Sequence, residues 1–263
     1  MKRVLTGLVL TPFFFYIVVF APDALFLATL AAVGLVCYYE FLGIAARHLP
    51  GFEYEPRHNP AGYVAGLLLL LLPGSEILTI VLFAFLMWIF ALRAKNLAHI
   101  LPFAAMAAFG IIYVFGAWKC GLSLRVMNPW WMLFATAINW IGDTFAYYGG
   151  KNLGRRKLAP VLSPGKTWAG AIASLAGTLG LGLWFLHWKF PQVTLLQGAV
   201  LCLAANLSGQ AGDLCESAIK RGAGVKDSGN SLPGHGGWLD RVDSSLFSVP
   251  VVYWLLRSGW IQP

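Results

Sequence analysis

The chain has 263 residues, of which 58% are hydrophobic and only 11% charged, and its mean hydropathy is +0.69. Soluble domains carry about 25% charged residues, so there is too little charge here to coat a globule, and soluble, disordered and collagen-like classes are excluded. Nineteen Lys and Arg against eleven Asp and Glu leave a net charge of +8, which a bilayer explains through basic loops gathered on one side, and no nucleic-acid partner is read from it.

Apolar runs follow one another at 4–20, 24–46, 61–72, 77–92, 98–118, 130–150, 167–188, 195–218 and 244–260. A helix needs about 20 residues to cross the hydrocarbon, so the first run is marginal and the third is short. The pattern predicts an all-α polytopic membrane protein with about nine transmembrane helices. It is read as one integral domain over 1–263, with 1–128 as N-terminal helices and 129–263 as the part carrying the motifs. Met1-Lys2-Arg3 ahead of the first run, with Ala21-Pro22-Asp23-Ala24 after it, has the outline of a signal peptide. The many runs that follow favour an uncleaved first span. Cys37, Cys120, Cys202 and Cys215 stand far apart without a CxxC pair, which points to neither a zinc site nor a disulfide framework. With a cytoplasmic N-terminus, Lys2, Arg3, Arg47, Arg57, Arg93, Lys95, Lys151, Arg155, Arg156, Lys157, Lys166, Lys220, Arg221, Lys226 and Arg241 fall inside. Only Lys119, Arg125, Lys189 and Arg257 fall outside, the positive-inside pattern.

Six of the eleven acids lie between 143 and 243. A charge near the bilayer centre costs about 2.5 to 3.5 kcal/mol on insertion scales, so Asp143 and Asp213, set in apolar runs, need partners. In the nine-span reading both sit late in inward-running helices, and Asp240 and Asp243 come just before the last span. The four carboxylates therefore share a depth near the cytoplasmic face. Asp213, Ser217 and Lys220 share one helix face, as do Asn139, Asp143 and Tyr147, and Asp240 and Asp243 do so if that stretch is helical. Stripes of this kind serve as polar glue between helices. Four carboxylates beside Lys166, Lys220, Arg221, Lys226 and Arg241 also make a site for an anion with a hard divalent cation, and magnesium takes oxygen ligands.

Ser163-Pro164-Gly165-Lys166-Thr167 ends like a P-loop, but residue 160 is Pro where that motif has Gly, and no strand is read before it. It is read as a turn entering the next helix, whose first amides offer a place for a phosphate. Segment 217–243 is different in kind. It holds six glycines, alternates in charge, and sets Gly234-His235-Gly236-Gly237 beside Asp240-Arg241-Val242-Asp243. Glycine lets backbone approach a phosphate closely.

At this segment the chain resembles the phosphatidate cytidylyltransferase, or CDP-diacylglycerol synthase, family. Ser217, Lys220, Arg221, Lys226, Asp227, Leu232-Pro233, His235-Gly236-Gly237, Asp240, Arg241 and Asp243 stand at the family's spacing, a highly specific pattern. Gly142-Asp143-Thr144-Phe145-Ala146-Tyr147, Ser163-Pro164 with Lys166-Thr167-Trp168, and Gly212-Asp213-Leu214 with Glu216-Ser217 are similar as well. The motif resemblance covers roughly 139–243. One departure is Ala169, where the family often has Glu, so no acid role is given to that helix start. The resemblance implies a polytopic, usually dimeric enzyme that uses CTP and magnesium to convert phosphatidic acid into CDP-diacylglycerol and pyrophosphate. A potassium-like monovalent cation beside the magnesium is implied too. The charge split puts the motif loops on the cytoplasmic side, and a bacterial inner membrane is the expected location.

Asp213 and Asp240 are expected as metal ligands, with Asp143 and Asp243 as further candidates. Asp213, Asp240, Asp243, Lys220 and Arg221 form the expected catalytic set. Ser163, Lys166, Thr167, Ser217, Lys226, Asp227, His235, Gly236, Gly237 and Arg241 are expected to bind substrate, with Lys226 and Arg241 in one glycine-rich loop. Two rivals stand beside this reading. One is a CTP-dependent transferase acting on another lipid. The other is an ion-coupled transporter in which Asp143 and Asp213 carry protons or sodium. Acids gathered at one face and the lack of an internal repeat favour the enzyme.

Overall fold

A computed structural model of the chain describes residues 2–48, 56–72, 76–92, 97–232, 234 and 236–261. The helices are α1 (Lys2–Val19), α2 (Asp23–Arg47), α3 (Pro60–Leu71), α4 (Glu76–Ala91), α5 (Ile100–Ile111), α6 (Ala117–Met127), α7 (Pro129–Leu153), α8 (Trp168–Lys189), α9 (Leu195–Gly222) and α10 (Leu239–Arg257). A π-helical turn, Ile112–Gly116, joins α5 to α6. Among the described residues, Asp23–Arg47, Leu97–Met127 and Trp168–Lys189 are long and apolar enough to cross a membrane. Exposed apolar side chains such as Leu82, Phe85 and Ile89 on α4 and Ile172 and Trp184 on α8 need lipid or another apolar neighbour. Arg93 and Lys95, used in the charge count, lie outside the described residues.

The chain forms two compact units, each built from separated stretches. The first holds Met1–Leu10, Pro22–Lys119 and Ile219–Arg241, and the second Thr11–Ala21, Cys120–Ala218 and Val242–Pro263. The two units are thus interleaved along the sequence.

In the first unit α2 buries Tyr38, Phe41, Leu42 and Ala45. The Tyr38 hydroxyl donates to the Ala107 carbonyl at 3.2 Å, and its ring stands edge-on to Tyr63. Asn59 caps α3 by accepting from the Ala61 amide, and Pro60 supplies the pre-set φ of a first helical residue. At the other end of α3 the Lys119 ammonium donates to the carbonyls of Leu70 and Leu72, which α3 leaves without intrahelical partners. The His48 ring after α2 meets the Ile219 carbonyl at 3.1 Å, so the C-terminal ends of α2 and α9 lie together.

In the second unit α7 and α8 pack closely because small residues face each other. A Cβ on Gly170 would lie 2.8 Å from the Ala146 carbonyl oxygen, so only glycine permits this approach. Asn128 and Pro129 start α7 in the same manner as Asn59 and Pro60 start α3. Trp131 stacks on Phe190 with centroids 3.6 Å apart.

Two expectations are corrected here. The chain is not wholly α, because β1 (Lys157–Ala159) and β2 (Ser163–Thr167) pair antiparallel, Lys157 opposite Thr167 and Ala159 opposite Ser163. The Lys166-Thr167 stretch also lies on a strand, where no strand was read near it. Pro164 lacks an amide donor and Gly165 is a poor helix former, and an edge strand tolerates the proline. Strands of three and five residues are too short to show a period of two in the sequence. The ends of the motif segment shift too. α9 runs to Gly222 and carries Lys220, as the helical spacing predicts, together with Arg221, while Arg241, expected in the glycine-rich loop, belongs to the first turn of α10.

Candidate active site

The second unit contains a cavity of about 150 Å³ whose walls include Asp143, Lys166, Thr167, Gln210, Asp213 and Ser244. α7 brings Asp143, β2 brings Lys166, α9 brings Gln210 and Asp213, and α10 brings Ser244. The Lys166 ammonium lies 2.7 Å from Asp213 Oδ2, with side-chain exposures of 25% and 32%. The Ser217 hydroxyl donates weakly to Asp213 Oδ1 at 3.4 Å, the i, i+4 contact expected on one helix face. Behind this wall Gln210 donates to Asn206 and Asn206 to Ser174, so two cavity-lining residues are tied through a buried amide. Asp243, buried at the start of α10, accepts from the Ser244 amide.

The entry to α8 is more occupied than the sequence led us to expect. Thr167 caps the helix by accepting from the Gly170 amide, and the Trp168 amide donates to the Arg156 carbonyl. Two of the first amides are therefore already used, and the phosphate reading of this turn passes to Lys166.

In the first unit the glycine-rich segment is held from several sides. The Val225 amide donates to the Lys220 carbonyl and the Arg221 guanidinium to the Val225 carbonyl, closing the end of α9. Lys220 lies 2.5 Å from Asp240 Oδ1, with side-chain exposures of only 10% and 5%. Asp240 Oδ2 accepts from the amides of Ser228 and Gly237, each at 2.9 Å. Burial pushes the Asp240 pKa up, but the Lys220 ammonium and the Gly237 and Ser228 amides outweigh it and hold the carboxyl below its ordinary 3.8. The Leu232 amide donates to the Gly236 carbonyl across the segment, and Gly236 adopts φ of 78°, a conformation that favours glycine. Lys226, Asp227 and Arg241 are exposed. His235 lies outside the described residues.

The sequence pattern of the cytidylyltransferase family matches residues 1–258. The chain belongs to the cytidylyltransferase family. The phosphatidate cytidylyltransferase of Bacillus subtilis (strain 168) is 35% identical over 279 residues, covering 97% of this chain and 97% of its own. That of Staphylococcus aureus (strain COL) is 36% identical over 201 residues, 73% of this chain and 76% of its own. The Synechocystis phosphatidate cytidylyltransferase is 45% identical over a shorter stretch of 127 residues, 47% of this chain and 42% of its own.

The magnesium that the family resemblance implies can be tested against the donor sets. Such an ion completes its shell with substrate phosphates and water and asks the protein for one or two carboxylates. Asp143 and Asp213 line the same cavity, and Asp213 is paired there with a part-exposed Lys166, so this donor set fits that demand. Asp240 is already engaged by an ammonium and two amides, which is the chemistry of a loop anchor. Among the described residues no three His, Cys, Asp or Glu side chains gather into an all-protein cage.

Of the expected site residues, Asp143, Lys166, Thr167 and Asp213 come together on the cavity, with Ser217 beneath Asp213 and Ser163 at the start of β2. Lys220, Asp227, Gly236, Gly237 and Asp240 belong to the held segment, where the Gly237 amide is taken by Asp240. Sequence reasoning missed Gln210, Ser244 and above all Glu40, whose carboxylate lies buried within the α2 run. The rule that flagged Asp143 and Asp213 as charges inside apolar helices applied equally to Glu40.

Proposed function

We propose that the protein transfers the cytidylyl group of CTP to phosphatidic acid, forming CDP-diacylglycerol and pyrophosphate. The observation that carries this is the end-to-end similarity to the Bacillus subtilis phosphatidate cytidylyltransferase, 97% of both chains. A phosphate oxygen of phosphatidic acid bonds to the α-phosphorus of CTP, and the bond from that phosphorus to the oxygen bridging to the β-phosphate breaks as pyrophosphate leaves. The acceptor is already an anion near neutral pH, so no side chain has to take a proton from it. What the chain must do is bring two anions together and hold them in line. Lys166 holds phosphate oxygens at the cavity. Lys226 and Arg241, exposed on and beside the glycine-rich segment, offset the charge of the triphosphate. Asp143 and Asp213 are the carboxylates assigned to magnesium, which when bound neutralises charge on the reacting and leaving oxygens. Lys220 and Asp240 keep the segment in shape.

The same reading takes α1, α2, α3, α4, the α5–α6 rod, α7, α8, α9 and the part of α10 after Asp243 as nine spans of a bacterial inner membrane, with Asp240 outside the last of them, the N-terminus and the site on the cytoplasmic side and two copies forming a dimer. The joined C-terminal ends of α2 and α9 support it, because both helices run inward in that topology. Cysteine placed at the exposed Asn230, in a background lacking the four native cysteines, is then labelled from the cytoplasmic side alone. The decisive experiment for the reaction is purified protein in detergent with labelled CTP, magnesium and phosphatidic acid. CDP-diacylglycerol and pyrophosphate should form in equal amounts. Turnover only with another lipid acceptor would move the reading to a related transferase, and cation flux in vesicles without CTP consumption would move it to a transporter.

A further inference from the structure

Glu40 lies near the C-terminal end of α2 and is only 3% exposed. Its carboxylate accepts four hydrogen bonds, all from the glycine-rich segment and all within the first unit. Oε1 accepts from the Ser231 hydroxyl at 2.6 Å and the Trp238 amide at 3.2 Å. Oε2 accepts from the Ser228 hydroxyl and the Leu239 amide, both at 2.9 Å. Each oxygen thus faces one hydroxyl and one backbone amide. A carboxylate satisfies that arrangement, whereas Gln turns an NH2 toward a backbone N–H whichever way it is flipped.

The Trp238 and Leu239 amides stand at the opening of α10, so Glu40 caps a helix far from it in sequence. Ser228 joins this grip to that of Asp240. Its hydroxyl donates to Glu40 and accepts from the Asp240 amide, while its own amide donates to Asp240 Oδ2. The glycines fit the same geometry. A Cβ on Gly229 would lie 2.7 Å from Glu40 Oε1, and one on Gly237 would overlap Glu40 Oε2 and Ser228 Oγ. These two glycines therefore make room for a carboxylate of the protein itself, where the sequence had pointed to a phosphate.

We propose that Glu40 is a positioning residue for cytidylyl transfer. It fixes Ser228, Ser231 and the start of α10 at Trp238 and Leu239, and so keeps Lys226, Asp227 and Arg241 in the arrangement that receives the nucleotide. The inference rests on the CTP-dependent reading above. A segment this rich in glycine has many conformations to lose on binding, and a contact set made in advance removes that cost from the nucleotide's own binding.

The test compares Glu40→Gln, Glu40→Asp and Ser231→Ala with the unsubstituted protein, all as full-length chains in detergent. It combines hydrogen exchange of peptides covering 226–241 with CTP titration at saturating phosphatidic acid and magnesium. In Glu40→Gln the Trp238 and Leu239 amides should exchange at least about 10-fold faster while α7 and α8 keep their rates. kcat/KM for CTP should fall about 10- to 100-fold, mostly through KM. Ser231→Ala removes one of the four contacts and should lose less than Glu40→Gln. Glu40→Asp, too short to reach all four donors, should fall between them. Unchanged exchange at 226–241 with kcat/KM within about twofold of normal overturns the proposal. Faster exchange spread evenly over the chain overturns it too, because Glu40 would then be a general packing residue. A loss confined to kcat also counts against it. If Glu40→Gln does not fold, Glu40→Asp and Ser231→Ala decide by the same exchange criterion. If the unsubstituted protein makes no CDP-diacylglycerol, the functional reading fails, while the exchange result still decides whether Glu40 holds the segment.

Discussion

Lys166 with Asp213 and Lys220 with Asp240 are chemically the same pair, an ammonium against a carboxylate at 2.7 and 2.5 Å. The first opens on a cavity, a quarter to a third exposed, and among the described residues its carboxylate adds to Lys166 a long contact from Ser217. The second is nearly sealed, and its carboxylate also takes two amides. An ion pair in reach of water exchanges its partner for a substrate phosphate or a cation at small cost. A sealed pair surrounded by amides is committed to holding backbone, and breaking it leaves a buried charge. Motif spacing does not distinguish the two, because both present Lys and Asp at regular positions beside polar residues.

The strongest challenge to this contrast is Asp213→Asn. If the open carboxylate holds the cation, turnover should drop by roughly 10³-fold, with the melting temperature little changed. Substantial magnesium-dependent activity would remove Asp213 from the site. Lys220→Ala probes the sealed pair and should act mainly on stability, by about 3 kcal/mol in unfolding experiments, with the loss extending to activity through the loosened segment. A variant as stable as the unsubstituted protein would place Lys220 among the exchangeable groups instead. Lys166→Ala should cost about 1.5 to 3 kcal/mol of phosphate contact, a roughly 10- to 150-fold fall in kcat/KM for CTP, and leave stability unaltered.

The smallest effect is a pH dependence. Asp240 has a carboxyl pKa lowered in the fold below 3.8, so the unfolded chain binds its proton first as pH falls. Its contribution to stability is full above 3.8, declines below that value, and is lost once pH passes the folded pKa. Thermal unfolding followed from pH 6 downward should show a shallower acid-side decline in Asp240→Asn than in the unsubstituted protein. Equal slopes would contradict the lowered pKa.

Much of the helical layout was legible because it depends on composition. Apolar runs 24–46, 130–150 and 167–188 fall on α2, α7 and α8, since a run without breakers in an apolar chain has little alternative to a helix. The caps at Asn59, Asn128 and Thr167 rest on equally local chemistry, though sequence reasoning did not single them out. The hairpin of β1 and β2 was not legible, because its pairing is the work of a few residues around Pro160 and Pro164. In the site, Asp213 with Ser217 could be anticipated from helical spacing. Glu40 with Ser228 could not, because 188 residues separate the partners and neither motif nor period links them. Nor could spacing show which lysine faces a cavity and which is enclosed, a property of burial alone.

The π-helical turn at Ile112–Gly116 has a consequence for how chain length is tolerated in the first unit. Such a turn is a helix that has absorbed one surplus residue without breaking. Removing a residue from it would restore regular hydrogen bonding, yet it would rotate everything after it by about 100° relative to α5. Lys119, three residues past the turn, would swing off the Leu70 and Leu72 carbonyls, and the end of α3 would lose its stopper. The surplus residue therefore acts as a gear tooth. It sets the phase in which the later half of the rod meets its neighbours, and a deletion that looks harmless on the page would disengage a contact almost fifty positions upstream.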